Sequence, residues 1–600
     1  MSQHDHDSDH GMECGHDHGE EMLHEDDFPE PTPEEVFGPR VPSDPLWLQA
    51  GPVSMQFDPD WAILRRITVE GREALRAIYP AVRSSKWKTA PPRVTDLQCE
   101  AHGESFRLTF SCEHVDPETG VDFGWRGEIT GAPDGTVSYL FEGVARSAMQ
   151  TNRTGLCVLH PILGTAGAAV TVTHGDGREV GAVFPRLISP HQPFFDVAAL
   201  THEVAPGLRA RVAFEGDVFE TEDQRNWTDA SYKTYGGALS KPIPLAFAAG
   251  HAVRQKVTFT LEATRPLVAE PEEERPVQVV LPAAGAMRLP SVGMRLAPEA
   301  GDPDDARIGQ WRTLAPGHLL IDVDLTAGDW PEALKRGRAW ASALEVPVVL
   351  RVVFTPNHQP ALAALAEAFA GEPARLLAVS VVNPGEACPG GVTLGLVAAA
   401  FASVAPCVPV AAAPADNFAD MNRFRPSAAY WVAPPMCPQV HTFDHESLME
   451  NLEAQPALMV TARSFNPHPL LVGPVALLRR RVPDPRQASL FAAAWTAGSL
   501  AAVLPSGLAA AVTYHEHDGP MGIPGTPCES VFEGLAGAVQ TAPTTVSDPA
   551  RVAALTVFDQ TGGRRVLLAN LTRRTVEIAL ADDDESVFEF GPYATAWVDA

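Results

Sequence analysis

The sequence predicts a multidomain protein, all-β at both ends and α/β in the middle: an N-terminal β-sandwich, a central (β/α)8 barrel and a small C-terminal β-sandwich. Three observations carry this reading. Residues 45–265 are a succession of short strand-like runs with few helical windows. Residues 289–540 alternate eight strand-like runs with helical segments, the rhythm of a closed parallel barrel. Residues 541–600 hold four alternating strands, too few to stand alone. A chain of 600 residues also exceeds one core, since domains usually hold roughly 100–200 residues.

The opening segment MSQHDHDSDHGMECGHDHGEEMLH places six histidines within the first 24 residues, among Asp, Glu and Gly. It has no apolar pattern to bury, so residues 1–44 are expected to form a disordered tail. Its imidazoles and carboxylates suit weak binding of Zn, Ni or Cu, without the rigid spacing that sets a coordination geometry. From Trp47 to about Glu262 come GPVSMQF, WAILRRITV, SFRLTFSCEHV, GWRGEITG, TVSYLFEGVA, LRARVAFEG and VRQKVTFTLEA. Pro133-Asp134-Gly135 and Gly175-Asp176-Gly177 punctuate them as hairpin turns. Residues 266–288, rich in Pro, Glu and Arg, read as a linker or crossing strand. The barrel strands are SVGMRL (291–296), HLLIDVDL (318–325), PVVLRVVF (347–354), LLAVSVV (376–382), VPVAA (408–412), AAYWV (428–432), LLVGPVAL (470–477) and LAAAVTY (508–514). RVAALTVFDQTGG, RRVLLANLT, TVEIAL and SVFEFGPYATAWVDA make the last domain, with VQVVLP (277–282) available to complete it.

The formal charge of −30 argues against nucleic acid as a partner and disfavours an anionic membrane, because phosphate binding needs clustered Lys and Arg. Residues 1–39 contribute 13 acids and no Lys or Arg, so the folded body is only moderately acidic. No apolar run reaches the ~18 residues of a membrane span and no basic-then-apolar leader opens the chain, so a cytoplasmic protein is expected. Cysteines 14, 99, 112, 157, 388, 407, 437 and 528 form no CxxC pair, and reduced thiols are expected.

The densest polar stretch is FETEDQRNWTDASYKTY, residues 219–235. Glu220, Glu222, Asp223, Arg225, Asp229 and Lys233 sit there among Asn226, Trp227, Tyr232 and Tyr235. Large aromatics among charges suit a partly dry polar site, or else a buried ion-pair network holding two domains together. If the run is extended, Glu220 and Glu222 share one face and Asp223 and Arg225 the other.

A barrel presents a second place for chemistry, at the C-terminal ends of its strands. These ends hold Asn383 and Glu386 after strand four; Asp416, Asn417, Asn422 and Arg423 after strand five; Gln439, His441 and Asp444 after strand six. Strand eight ends in Tyr514, His515, Glu516, His517 and Asp518. His441 and Glu516 are the leading pair, since a neutral imidazole and a carboxylate can share proton transfer near neutral pH. Asp444 reads as the N-cap of the helix beginning ESLMENLEA. There is no HExxH spacing, so no metal is expected, and no GxSxG elbow, so water rather than a serine is the expected nucleophile.

With Thr151-Asn152-Arg153-Thr154-Gly155 and His160-Pro161 upstream, and CPQVHTFD (437–444) downstream, the polar run resembles the D-apionate lactonase family. These are bacterial sugar-acid lactone hydrolases, and the resemblance extends from residue 46 to the C-terminus. The N-terminal strands also resemble the supersandwich of galactose-mutarotase-like domains, which strand counting alone does not separate from other sandwiches. The resemblance implies hydrolysis of D-apionolactone to D-apionate in apiose catabolism. That reaction needs a base for water, donors for the oxyanion and an acid for the leaving ring oxygen. His441, Glu516, Glu222 and Asp223 are the expected catalytic groups. Arg153, His160, Arg225, Asn226, Lys233, Asn422 and Tyr514 are the expected substrate-binding groups. No cofactor is expected, the partner is a small sugar lactone, and a homo-oligomer is compatible with these features. The strongest rival is a glycoside hydrolase of barrel type, with Glu386 and Glu516 as a carboxylate pair, since strand seven ends in Gly473-Pro474-Val475 with no acid. A non-catalytic carbohydrate-binding protein is the third reading.

Overall fold

The structure, a computed structural model, describes residues 31–267, 275–370, 375–479, 482–516, 522–581 and 587–599. Seventeen strands between Leu46 and Ala263 join in one antiparallel network. Period-two burial shows why they form a sandwich. In strand Val121–Gly131 every second residue is buried, and Val121, Phe123, Trp125 and Ile129 enter the core. Trp125 packs there on Phe141 at 4.6 Å between ring centroids. Gly135, at φ 85°, supplies the left-handed residue of the turn between this strand and the next.

Three strands depart from alternation: Met149–Pro161, Phe219–Asp223 and Ser231–Gly236 are buried almost throughout. One face carries Leu156, Val158, Phe219 and Tyr232 into the sandwich core. The opposite face carries Arg153, Cys157, Glu222, Lys233 and Tyr235, and the barrel covers it. A strand with both faces covered loses the in-out signature even though its side chains still alternate.

The (β/α)8 barrel expected from the sequence is present. Its strands are Ser291–Arg295, Leu319–Asp324, Val348–Val353, Leu376–Val382, Val410–Ala412, Trp431–Val432, Leu470–Val475 and Ala509–Glu516, all parallel. The ring closes just past the sixth strand, where Met436 N donates to Pro474 O at 3.2 Å. Inside it, His318 bridges Ser291 and Thr513 at 2.9 and 2.8 Å. Gly293 is required there, because a Cβ would lie 2.4 Å from the His318 carbonyl oxygen. Helix Leu490–Val503 is buried on nearly every side, since it lies in one core with barrel residues and with Leu555, Leu567 and Ala569 of the last domain.

The C-terminal sandwich borrows strands from before the barrel. Val277–Val280 runs parallel to Val576–Leu580 and antiparallel to Thr545–Val546, and Met287–Arg288 pairs with Ala538–Ala542. Among the described residues, no helix is long and apolar enough to cross a membrane. The seven cysteines from Cys99 onward are all free thiols.

Part of the expected tail is ordered. Helix Pro33–Phe37 starts with a capping box in which Thr32 and Glu35 bond reciprocally. Val36 enters the barrel core, and the Phe37 ring lies 5.9 Å from His445 and 5.7 Å from Tyr593. Arg573 Nη1 then donates to Ser43 O at 2.7 Å. Two apolar residues in five give no readable pattern in sequence; their burial is created by distant partners. Residues 1–30, with the histidine cluster, lie outside the described residues. A chain starting at residue 45 is expected to be less stable than one starting at residue 31 by about 2–4 kcal/mol, for one buried and one half-buried apolar side chain. Urea denaturation of the two chains checks this, and equal midpoints would contradict the docking.

Candidate active site at the sandwich–barrel junction

The covered face of the sandwich is built in register. Arg83, near the end of strand Arg72–Ser84, stands opposite Arg153, and Tyr79 opposite Cys157. Cys157 in turn faces Tyr235, while Lys233 faces Glu222. The Arg153 guanidinium lies over the Tyr235 ring, 3.6 Å from its centroid. Its Nη1 is 3.9 Å from Glu222 Oε1, the oxygen that also pairs with Lys233 Nζ. All four of these side chains are buried.

After Asp223 the chain makes a short 3-10 turn, Gln224–Trp227, ended by Thr228 in the left-handed region at φ 66°. This reversal delivers Asp229 to the domain junction. Asp229 Oδ2 lies 2.5 Å from His441 Nδ1 of the barrel. Gln224 Nε2 is 3.1 Å from the same nitrogen, and the Trp227 ring stands edge-on at 5.4 Å. His441 comes from the loop after the sixth barrel strand. That loop ends where Asp444, as expected, caps helix His445–Glu450 by accepting from Ser447 N at 2.8 Å. Asn451 fastens the two sides. Its Nδ2 donates to Asp229 Oδ1 and to Thr442 Oγ1, each at 3.2 Å, and its Oδ1 accepts from Ala230 N at 2.8 Å.

Burial and the row of cations set the protonation states. Burial depresses the His441 imidazole well below its ordinary value, and Lys233, Arg83 and Arg153 push the same way. Burial raises the Asp229 carboxyl to about 8 against the pull of Lys233 and Arg83. Burial lowers the Lys233 ammonium to about 8; Glu222 opposes this, while Arg153 and Arg83 add to it. Burial works to raise Glu222, but Lys233 and Arg153 outweigh it and hold the carboxyl below its ordinary value. The centre thus presents a neutral imidazole and an ammonium poised near neutrality. A cleft with about 40 Å³ of room, open to solvent, reaches this centre; Trp61, Tyr79, Arg83, His114, His441 and Thr442 are in its wall.

The structure brings His441, Glu222, Lys233 and Arg153 to this one junction. It does not bring Glu516 to them. Glu516 pairs with Arg295, which also donates to Asp322 at 2.5 Å, and Asp322 accepts from Arg351 at 3.1 Å. This quartet occupies the barrel mouth, and among the described residues no contact links Glu516 with His441. Asp223 and Arg225, expected in catalysis and binding, bond bidentately to each other at 2.7 and 2.9 Å. Arg225 also donates to Pro185 O and Arg186 O, and Asn226 to Ser189 O. Asn422 donates to Asn226 Oδ1 and Ile188 O, both at 3.0 Å. These four side chains are spent on fastening a sandwich loop to the barrel, the ion-pair reading of the polar run. His160 faces the sandwich interior and bonds Thr234 at 3.0 Å. Tyr514 is buried against Ser499 at 3.0 Å. Glu386 is turned to Asn383, Thr393 and the Gly390 amide. His517 and Asp518 lie outside the described residues.

Sequence reasoning passed over Asp229, Tyr79, Arg83 and Asn451. Asp229 is one acid of the polar run, and Asn451 is the C-cap of helix His445–Glu450. Nothing local marks Tyr79 or Arg83, whose significance comes from the domain that covers them. Among the described residues, one trio of carboxylates, Asp58, Asp444 and Glu446, has ligand atoms within 4.8 Å of one another. Arg65 already ion-pairs with all three and ties sandwich to barrel.

Comparison with known proteins agrees with this architecture. Residues 37–264 match the family model described as D-apionate lactonase, N-terminal domain. Residues 292–554 match D-apionate lactonase, TIM barrel domain, and residues 549–598 match D-apionate lactonase, C-terminal immunoglobulin-like domain. A D-apionate lactonase of Brucella anthropi is 30% identical over 527 residues, covering 81% of this chain and 85% of that protein. Among solved structures, a family 39 glycoside hydrolase from Bacteroides cellulosilyticus WH2 aligns over 74% of this chain and 96% of its own, at 11% identity and a TM-score of 0.37. The GH51 arabinofuranosidase of Xanthomonas axonopodis pv. citri aligns over 51% and 88%, at 13% identity and a TM-score of 0.36. Matched along all three folded domains and to a relative over most of both lengths, the chain belongs to the D-apionate lactonase family.

Proposed function

We propose that this protein hydrolyses a sugar-acid lactone, D-apionolactone to D-apionate, at the sandwich–barrel junction, with water as the nucleophile. The observation that carries the reading is the His441–Asp229 contact at 2.5 Å beside a solvent-open cleft. With Asp229 ionised and accepting from Nδ1–H, the imidazole can take a proton from water through Nε2 as that water attacks the lactone carbonyl. The oxyanion forms beside guanidinium groups already fixed in a dry setting, where they need no reorganisation. Lys233, near its midpoint at about pH 8, is the group able to protonate the departing ring oxygen.

A pH-stat assay on D-apionolactone tests the activity. The same assay on Glu516→Gln tests the location. Because Glu516 is tied to Arg295 and touches none of the junction groups, its kcat/KM is expected to stay within about tenfold of the parent, ~1.4 kcal/mol in transition-state terms. A hundredfold loss would move the chemistry to the barrel mouth and favour the carboxylate-pair reading.

A further inference from the structure

Arg83 is the charged group of the junction that has no ion-pair partner among the described residues. It stands directly opposite Arg153 on the antiparallel ladder, and like charges in opposed positions repel. Arg153 is compensated by the Tyr235 ring and by Glu222. Glu222 is already shared with Lys233, and Glu220 on the same face accepts from the Tyr235 hydroxyl at 2.6 Å and from Leu239 N at 2.8 Å. Arg83 is only 4% exposed, it lines the cleft, and its Nε has no hydrogen-bond partner among the described residues. No carboxylate ion-pairs with it among those residues either. Asp229 and Glu222 act on it only through longer-range attraction; a buried guanidinium with no anion bonded to it is costly, and its planar fork fits a carboxylate in two parallel hydrogen bonds.

We propose that Arg83, with Arg153 beside it, forms a carboxylate-binding subsite, so that the cleft takes an open-chain polyhydroxy acid by its ionised end. This deepens the hydrolytic reading and rests on it for the ligand's identity: opening a lactone turns a neutral ester into an acid at the carbon the junction must polarise. A subsite that meets the developing oxyanion also meets the finished carboxylate. The product acid therefore binds more tightly than neutral molecules of the same shape and competes with the lactone.

The test is calorimetry on the full chain with D-apionate and with the neutral alditol of the same skeleton, for wild type, Arg83→Gln and Arg83→Lys. Wild type is expected to prefer the acid by about tenfold or more, Arg83→Gln to lose that preference, and Arg83→Lys to keep part of it, since charge remains without the fork. Equal affinity of wild type for acid and alditol overturns the subsite, and that comparison needs no variant to fold. A preference undiminished in folded Arg83→Gln overturns it as well. Lactone turnover on the same samples separates the two readings. Turnover with no Arg83-dependent acid binding leaves hydrolysis standing and removes the subsite; Arg83-dependent acid binding with no turnover does the reverse.

Discussion

Replacing His441 with Gln is expected to lower kcat for lactone hydrolysis by a factor on the order of 10² to 10⁴, the usual worth of a general base. Gln retains a group able to bond Asp229 across the 2.5 Å contact, so the fold should hold while the basic nitrogen is gone. The wild-type pH profile gives an independent reading of the same centre. The imidazole is depressed well below its ordinary value by burial and by three cations. It therefore stays unprotonated as pH falls through about 6.5, where a free imidazole titrates, and the acid limb follows Asp229 instead, whose carboxyl takes up a proton below about 8 and then no longer accepts from Nδ1–H. On the alkaline side kcat/KM should fall through about pH 8 as Lys233 loses the proton it would donate. An acid limb centred near 6.5, or a His441→Gln enzyme of undiminished kcat, would remove His441 from the base role.

Asp223→Ala is expected to destabilise the protein by about 3–5 kcal/mol, because it strands a buried guanidinium. Asp223 and Arg225 are each 1% exposed and joined by two hydrogen bonds. Asp223 also accepts from Ser189 N at 3.0 Å, and Arg225 holds the carbonyls of Pro185 and Arg186. The loop they hold is the one that Asn422 of the barrel grips at Ile188 O. Loss of the pair should therefore lower the denaturation midpoint and loosen the domain junction together. A decrease below about 1 kcal/mol, the range of an exposed ion pair, would mean that the junction does not depend on this clamp.

The barrel was legible because its signal is local and repeated. The fourth strand, expected at 376–382, is Leu376–Val382, and the seventh, expected at 470–477, is Leu470–Val475. Expected boundaries were longer than the observed ones at the fifth and sixth strands, which contract to Val410–Ala412 and Trp431–Val432. There the ladder ends early, and the chain past strand six turns to bridge the seventh through Met436. Burial of Glu222 with Lys233 followed a readable rule: residues two apart on a strand share a face, and a face dense in charge must be paired or wet.

The pairing of His441 was not legible. Its carboxylate was expected to be Glu516 at the end of the eighth strand, and it is Asp229, 212 positions away in another domain. By itself the sequence determined the order and class of the domains, the polar run and the histidine-bearing loop, because periodicity, turn chemistry and composition are properties of neighbours along the chain. Only the tertiary structure decided that the run divides, with Asp223, Arg225 and Asn226 clamping the domains and Asp229, Lys233 and Glu222 meeting His441. It alone left Arg83 without an ion-pair partner among the described residues and drew residues 33–37 into the core. Desolvation and ion pairing depend on what covers a side chain, and here the covering surface belongs to a domain hundreds of residues distant.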